Sequence, residues 1–364
     1  MLRFCLLFFI CLAGSAVADT STSRSFLMGF TPFNHSWKEE SADVAYQVAA
    51  RHGDLILHHL DEGVPWPEAF ADDMFTAEVE NELNDRIARR EPGQKVVLTA
   101  TPINFARSGL ADYWASEGGV ERPGGWRDLG FDDPAVLQAY LNYCRNRIRR
   151  FDPDYFGYAI EANLLAYNNP QAFAEFLPFA RQVHATLKRE FPGVPVFASV
   201  YIGIDETRLP LEAQVVPLLS ATDLIAVSTY PYMRPDGPTR RVDQIPADWF
   251  ARVRALAPDK PFAIAETGFL AEPMRVRGIK FESSPAAQAA YVTWMLAEAN
   301  RLDARFVVWF VPIDYDELWG VLRWMVMFEP LFRVWKDTGL YDGNLRPRPA
   351  LSHWDRWRAL PVKR

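Results

Sequence analysis

Eight short apolar runs, each followed by a stretch of helical character, predict an α/β chain folded as a single (β/α)8 (TIM) barrel. Two further observations support that fold class. The runs are apolar at successive positions, as strands of a parallel sheet covered on both faces must be. Two of them also run into a carboxylate, Glu161 and Glu266, where a buried strand would otherwise finish in turn residues. Barrel strands tolerate such charges because their C-terminal ends form the floor of a site. No G-x-G-x-x-G or G-x-x-x-x-G-K-S/T phosphate loop occurs, which argues against an open doubly wound sheet.

Taken in order, the strands are expected at 26–30, 55–59, 95–99, 155–160, 196–200, 224–228, 261–266 and 306–310. Helix starts are marked by Ser41 as an N-cap, by Asp133 capping ahead of Pro134, by Asn168-Asn-Pro170 and by Ser284-Pro285. A long Gly- and Trp-rich loop is expected from Ala100 to Asp132, a second from Val311 to Arg346, and a last helix from Ala350 to Arg358. No linker, repeat or low-complexity tract divides the chain.

Residues 1–18 read as a secretory signal peptide, with one basic residue, a short apolar run and Ala16-Val-Ala18 as the cleavage pattern. Residues 19–364 then form one barrel domain, periplasmic or secreted, with no membrane span in the mature chain. Cys5 and Cys11 lie in the leader, so Cys144 is left alone and no internal disulfide is expected. The 364 residues are 49% hydrophobic and 23% charged, which excludes a disordered chain, and the net charge of −7 argues against nucleic acid as a partner. Aromatic content is 14%, with 12 Trp, a composition suited to stacking on sugar rings.

Glu161 and Glu266, at the ends of strands four and seven, would project into one cleft. Two opposed carboxyl groups are what glycosidic cleavage needs, one protonated to assist the leaving oxygen and one ionised to attack or stabilise the anomeric carbon. A separation of ~5–5.5 Å implies retention and ~6.5–9.5 Å inversion. His58, His59 and Asp61 follow strand two; adjacent strand residues face opposite ways, so one imidazole faces the cleft as a sugar hydrogen-bonder. Trp66, with Trp114 and Trp126, supplies possible subsite walls.

These residues resemble glycoside hydrolase clan A, and within it the endo-β-1,4-galactanase-like (family 53-like) group. The resemblance extends to Ser228-Thr-Tyr-Pro231, to Trp309 and to Thr338-Gly-Leu-Tyr-Asp-Gly-Asn344. It implies Glu161 as acid/base holding the proton, and Glu266 as an ionised nucleophile hydrogen-bonded by Tyr230. It also implies Trp309 as the platform under the sugar. One departure stands out: the clan places Asn directly before the acid/base, and here that position is Ile160. Either Asn163 takes over, or the subsite is altered, or catalysis is lost.

The expected function is therefore that of an exported retaining β-glycosidase acting on a poly- or oligosaccharide, a monomer without cofactor or metal. The alternatives are a catalytically inactive carbohydrate-binding barrel linked to exopolysaccharide handling, and a metal-dependent hydrolase built on His58 or His59.

Overall fold

A computed structural model describes residues 21–116, 118–234, 239–276, 278–325 and 330–363. Eight strands close into a parallel barrel: β1 (Leu27–Phe30), β2 (Leu55–Leu60), β3 (Lys95–Ala100), β4 (Tyr155–Ala159), β5 (Val196–Tyr201), β6 (Ile225–Thr229), β7 (Phe262–Thr267) and β8 (Ala304–Trp309). Each pairs with its sequence neighbour, and β1 closes the ring on β8 from Leu27↔Phe306 to Phe30↔Trp309. The eight expected strands and their order are those observed, with ends displaced by one or two residues.

Alternation along the strands divides the apolar residues between two layers. Leu55, Leu57, Val97, Phe197, Ala226, Ala263, Phe306 and Val308 belong to a cluster that fills the barrel interior. Phe306 is its hub, 4.8 Å from the Tyr155 ring and 6.1 Å from that of Phe197. Gly157 makes room for this stack, since a Cβ there would meet the Phe197 ring and the Thr99 methyl at 2.9 Å. The outward-facing residues join the helices in a larger cluster that includes Val96, Leu98, Phe156, Tyr158 and Trp309. The N-terminal half of the barrel interior is thus plugged with hydrocarbon.

The principal helices are α1 (Ser41–His52), α2 (Ala77–Ala88), α3 (Pro134–Phe151), α4 (Pro170–Glu190), α5 (Pro285–Arg301) and α6 (Pro349–Arg358). Asp133, Asn169 and Ser284 cap α3, α4 and α5 through their side-chain oxygens, each with proline in the first turn. Ser41 differs from expectation. Its hydroxyl accepts from the N–H groups of His35 and Ser36, both at 3.0 Å, so it ties down the loop after β1 instead of capping α1. The segment expected as a loop after β8 contains a helix, Asp316–Met325, and a 3-10 turn, Pro330–Trp335. The loop after β3 carries a small hairpin, Tyr113–Ser116 with Gly118–Val120. The expected leader lies outside the described residues. Among the described residues no helix is long and apolar enough to cross a membrane.

Candidate active site

Two strand irregularities aim the glutamates. Along β7 the pairing with β6 runs Ala226↔Ala263 and Val227↔Ile264, then jumps to Ser228↔Glu266. Ala265 is the extra residue of a bulge. Strict alternation from Ala263 would turn Glu266 outward, and the inserted residue returns it to the interior. On β4 the register against β5 shifts between Gly157 and Ala159, and Glu161 then takes a left-handed backbone, φ 52°. That conformation costs a non-glycine residue about 1–2 kcal/mol. It is held by hydrogen bonds from the Glu161 N–H to Ser199 Oγ (2.9 Å) and from the Ala162 N–H to the Ser199 carbonyl (2.9 Å). Ile160, buried beside it, donates its N–H to Thr101 Oγ1 at 3.3 Å.

The two carboxyls share a nearly closed cleft, with side chains 15% and 13% exposed. Glu161 Oε1 accepts from the Ser228 hydroxyl at 2.7 Å, and Oε2 accepts from Arg107 Nε at 3.3 Å. Arg107 also forms a bidentate pair with Asp61, at 3.1 and 2.8 Å. Glu266 Oε1 accepts from the Tyr230 hydroxyl at 2.5 Å, and its other oxygen lies 3.7 Å from His59 Nδ1. His59 in turn approaches Thr99 Oγ1 (3.3 Å) and Asp61 (3.9 Å).

Burial, together with the charge of Glu161, pushes the Glu266 carboxyl up to about 8, outweighing the Tyr230 hydrogen bond and the Arg107 charge that pull it down. This upward direction runs against the expectation that Glu266 stays ionised beside Tyr230. Burial lowers His59 to about 4, so its imidazole is neutral at physiological pH. Tyr201, at the end of β5, is raised by burial and by the charges of both glutamates.

Glu161, Glu266, Tyr230, His59 and Asp61 are therefore brought together as expected. His58 is not. It points into the helix layer, 5.1 Å from the Phe151 ring and 3.4 Å from the Tyr46 hydroxyl, and burial lowers it to about 3. The two histidines cannot share a metal. The set of described residues that could surround a cation is Glu272, Asp314 and Asp337, into which Arg348 and Lys336 already donate.

Three other expectations are corrected by packing. Asn163 is fully buried, with its amide nitrogen on the Tyr201 carbonyl (2.8 Å) and Gln214 (3.0 Å) and its oxygen on the Tyr201 N–H (2.7 Å). It braces the end of β5 and offers nothing to the cleft. Trp309 also faces outward, between Tyr291 of α5 and Trp354 of α6, with its indole N–H on the Thr338 carbonyl at 2.9 Å. Trp66 is buried against Trp126 and Tyr140 and donates to the Ala111 carbonyl.

The aromatic beside the Glu266–Tyr230 pair is instead Phe310, one residue beyond Trp309 and joined to Val311 by a cis peptide bond. Its ring lies 6.2 Å from that of Tyr230, 5.6 Å from Phe33 and 6.0 Å from Trp335. Alternation from the inward-facing Phe306 and Val308 could have identified it. Arg107 had no such signal, because a loop of unknown path separates it from β3.

No family model matches the sequence, and no curated protein matches it either. Solved structures do. The chain is similar to the catalytic domain of a family 53 glycoside hydrolase from Ignisphaera aggregans, at 17% identity over 87% of each chain and a TM-score of 0.54. It is similar to an exo-β-1,4-mannosidase from an Opitutaceae bacterium, at 16% identity, with a TM-score of 0.63 over 93% of this chain and 60% of that one. Xylanase 10B from Thermotoga maritima aligns at 13% identity over 92% of this chain and 94% of its own, with a TM-score of 0.59. The chain has the barrel fold of the clan A glycoside hydrolases.

Proposed function

We propose that the protein is an exported retaining β-glycosidase that hydrolyses a poly- or oligosaccharide by double displacement. The observation that carries this reading is the meeting of Glu161 and Glu266 in one enclosed cleft, each oriented by its own hydroxyl donor, Ser228 and Tyr230. Coupled carboxyls of this kind hold one proton between them at neutral pH, which is the proton count double displacement requires. Glu266 would form the bond to the anomeric carbon and Glu161 would serve the leaving oxygen and then the attacking water. In this reading His59, beside Glu266, would bind a sugar hydroxyl, Asp61 would do so once released from Arg107, and Phe310 would take the platform role first expected of Trp309. Export rests on residues 1–18, and a monomer is expected.

Incubation with a polysaccharide and aryl glycoside panel, followed by proton NMR of the first-formed anomer, tests this reading. Retention is expected, with turnover reduced at least about a thousandfold in Glu161→Gln and in Glu266→Ala while thermal unfolding stays cooperative. Full activity in both variants would sink the assignment.

A second reading, a catalytically inactive carbohydrate-binding barrel linked to exopolysaccharide handling, draws on Ile160 and on the Arg107 contact with Glu161. Calorimetry that records glycan binding with no product after long incubation would favour it.

A further inference from the structure

Arg107 leaves the loop after β3 in a left-handed conformation, φ 52°, and buries its side chain between two acidic residues. A guanidinium has five N–H donors. Four are engaged, by Glu161 Oε2, both Asp61 oxygens and the Asn104 carbonyl. A group so nearly saturated has little left with which to grip a substrate, so its effect is on its neighbours. Ser228 donates to the other Glu161 oxygen. Both oxygens of Glu161 therefore act as acceptors, and Arg107 has no lone pair with which to receive a carboxyl proton.

We propose that Arg107 is a positioning residue, a charge latch that holds Glu161 as a carboxylate in the substrate-free barrel, so that Glu161 has no proton to give a leaving group until the contact is broken. The proposal rests on the reading of Glu161 and Glu266 as the catalytic pair. The groups that act on this pair are Arg107 and Asp61 from the loops, His59 from β2, Tyr201 from β5, Tyr230 and Tyr232 beyond β6 and Tyr315 beyond β8. Among the described residues, Arg107 is the cation paired with Glu161. Burial pushes the Glu266 carboxyl upward, and Glu266 must shed its proton to solvent before it can attack, whatever the leaving group.

The two chemical steps feel the latch differently. In the first, a Glu266 oxygen bonds to the anomeric carbon as the bond to the leaving oxygen breaks, and that electron pair departs with the leaving group. A sugar alkoxide needs the Glu161 proton at that moment, whereas a 2,4-dinitrophenolate does not. In the second, water attacks the same carbon, its proton passes to the Glu161 carboxylate, and Glu266 is released. The latched form lacks the acid of the first step but keeps the base of the second.

The test compares kcat/KM for 2,4-dinitrophenyl and phenyl β-glycosides of gluco, galacto, manno and xylo configuration. The wild-type chain should lose at least about a hundredfold between the two leaving groups, the reach of general acid catalysis. Arg107→Met combined with Asp61→Asn removes both charges together, which avoids stranding a buried carboxylate. That double variant should show a drop at least about tenfold smaller, and Arg107→Lys, which keeps the cation, should match the wild type. Melting curves confirm that each variant folds. Equal drops in wild type and double variant would overturn the latch and leave the catalytic pair standing. Turnover of no glycoside by either protein would overturn the pair and the latch with it. Turnover of phenyl glycosides by the double variant, with the wild type confined to the dinitrophenyl substrates, would support the latch.

Discussion

Glu161 and Glu266 are the same residue type at the C-terminal ends of two barrel strands, and the protein surrounds them with opposite partners. Glu161 is met by a cation and a hydroxyl, on a backbone twisted into the left-handed region. Glu266 is met by a phenol and by a neutral imidazole, on a strand bulged to face inward. Sequence position makes the two look equivalent. What separates them is the loop after β3, which delivers Arg107 to one and not the other. Under the latch proposed above, a proton shared by two carboxyls is placed by the third group in the cleft, not by the strand ends themselves.

The comparison is sharpened most by removing the burial penalty of Glu266. Its folded value of about 8 lies above the ordinary 4.5, so between those pH values the native chain binds more protons than the unfolded one. Stability from this group is fully present below about 4.5 and is lost as pH rises through 8. Glu266→Gln should therefore match the wild type at low pH and exceed it above pH 8, by on the order of a few kcal/mol. Chemical denaturation across that range measures the gap; a constant gap would mean that Glu266 is ionised throughout.

A smaller effect is expected at Tyr230. Its hydroxyl pulls the Glu266 carboxyl down, so Tyr230→Phe should raise it further and move the acidic limb of the kcat/KM profile upward by about one pH unit. A limb that stays in place would detach Tyr230 from the charge on Glu266.

The smallest effects distinguish the two faces of β8. Trp309→Phe should cost about 1–3 kcal/mol of stability through a lost buried hydrogen bond and packing, with KM unchanged. Phe310→Ala should raise KM with little change in melting temperature. The reverse pattern, read from substrate titrations and melts together, would restore Trp309 as the platform.

The fold was legible because strand burial, caps and proline positions are local properties. The two strand-end glutamates were legible because charge at the end of an apolar run is conspicuous. The misplacements have a common cause in strand alternation. His58 and Trp309 lie one residue from His59 and Phe310, and a single step along a strand exchanges the cleft for the helix layer. Asn163 was misplaced because a side chain just past a strand can turn back to brace its neighbour, as its bonds to Tyr201 show. Arg107 was invisible because its role depends on the path of a loop, and no periodicity encodes that path.

The central claim is that Glu266 attacks the anomeric carbon while Glu161 does not. Treatment with 2-deoxy-2-fluoro 2,4-dinitrophenyl glycosides of several configurations, followed by peptide mass spectrometry, tests it without requiring acid assistance. The account predicts one glycosyl ester, on the peptide that contains Glu266, absent in Glu266→Ala. An ester on Glu161, or turnover of the parent glycoside with no adduct on either glutamate, would contradict it.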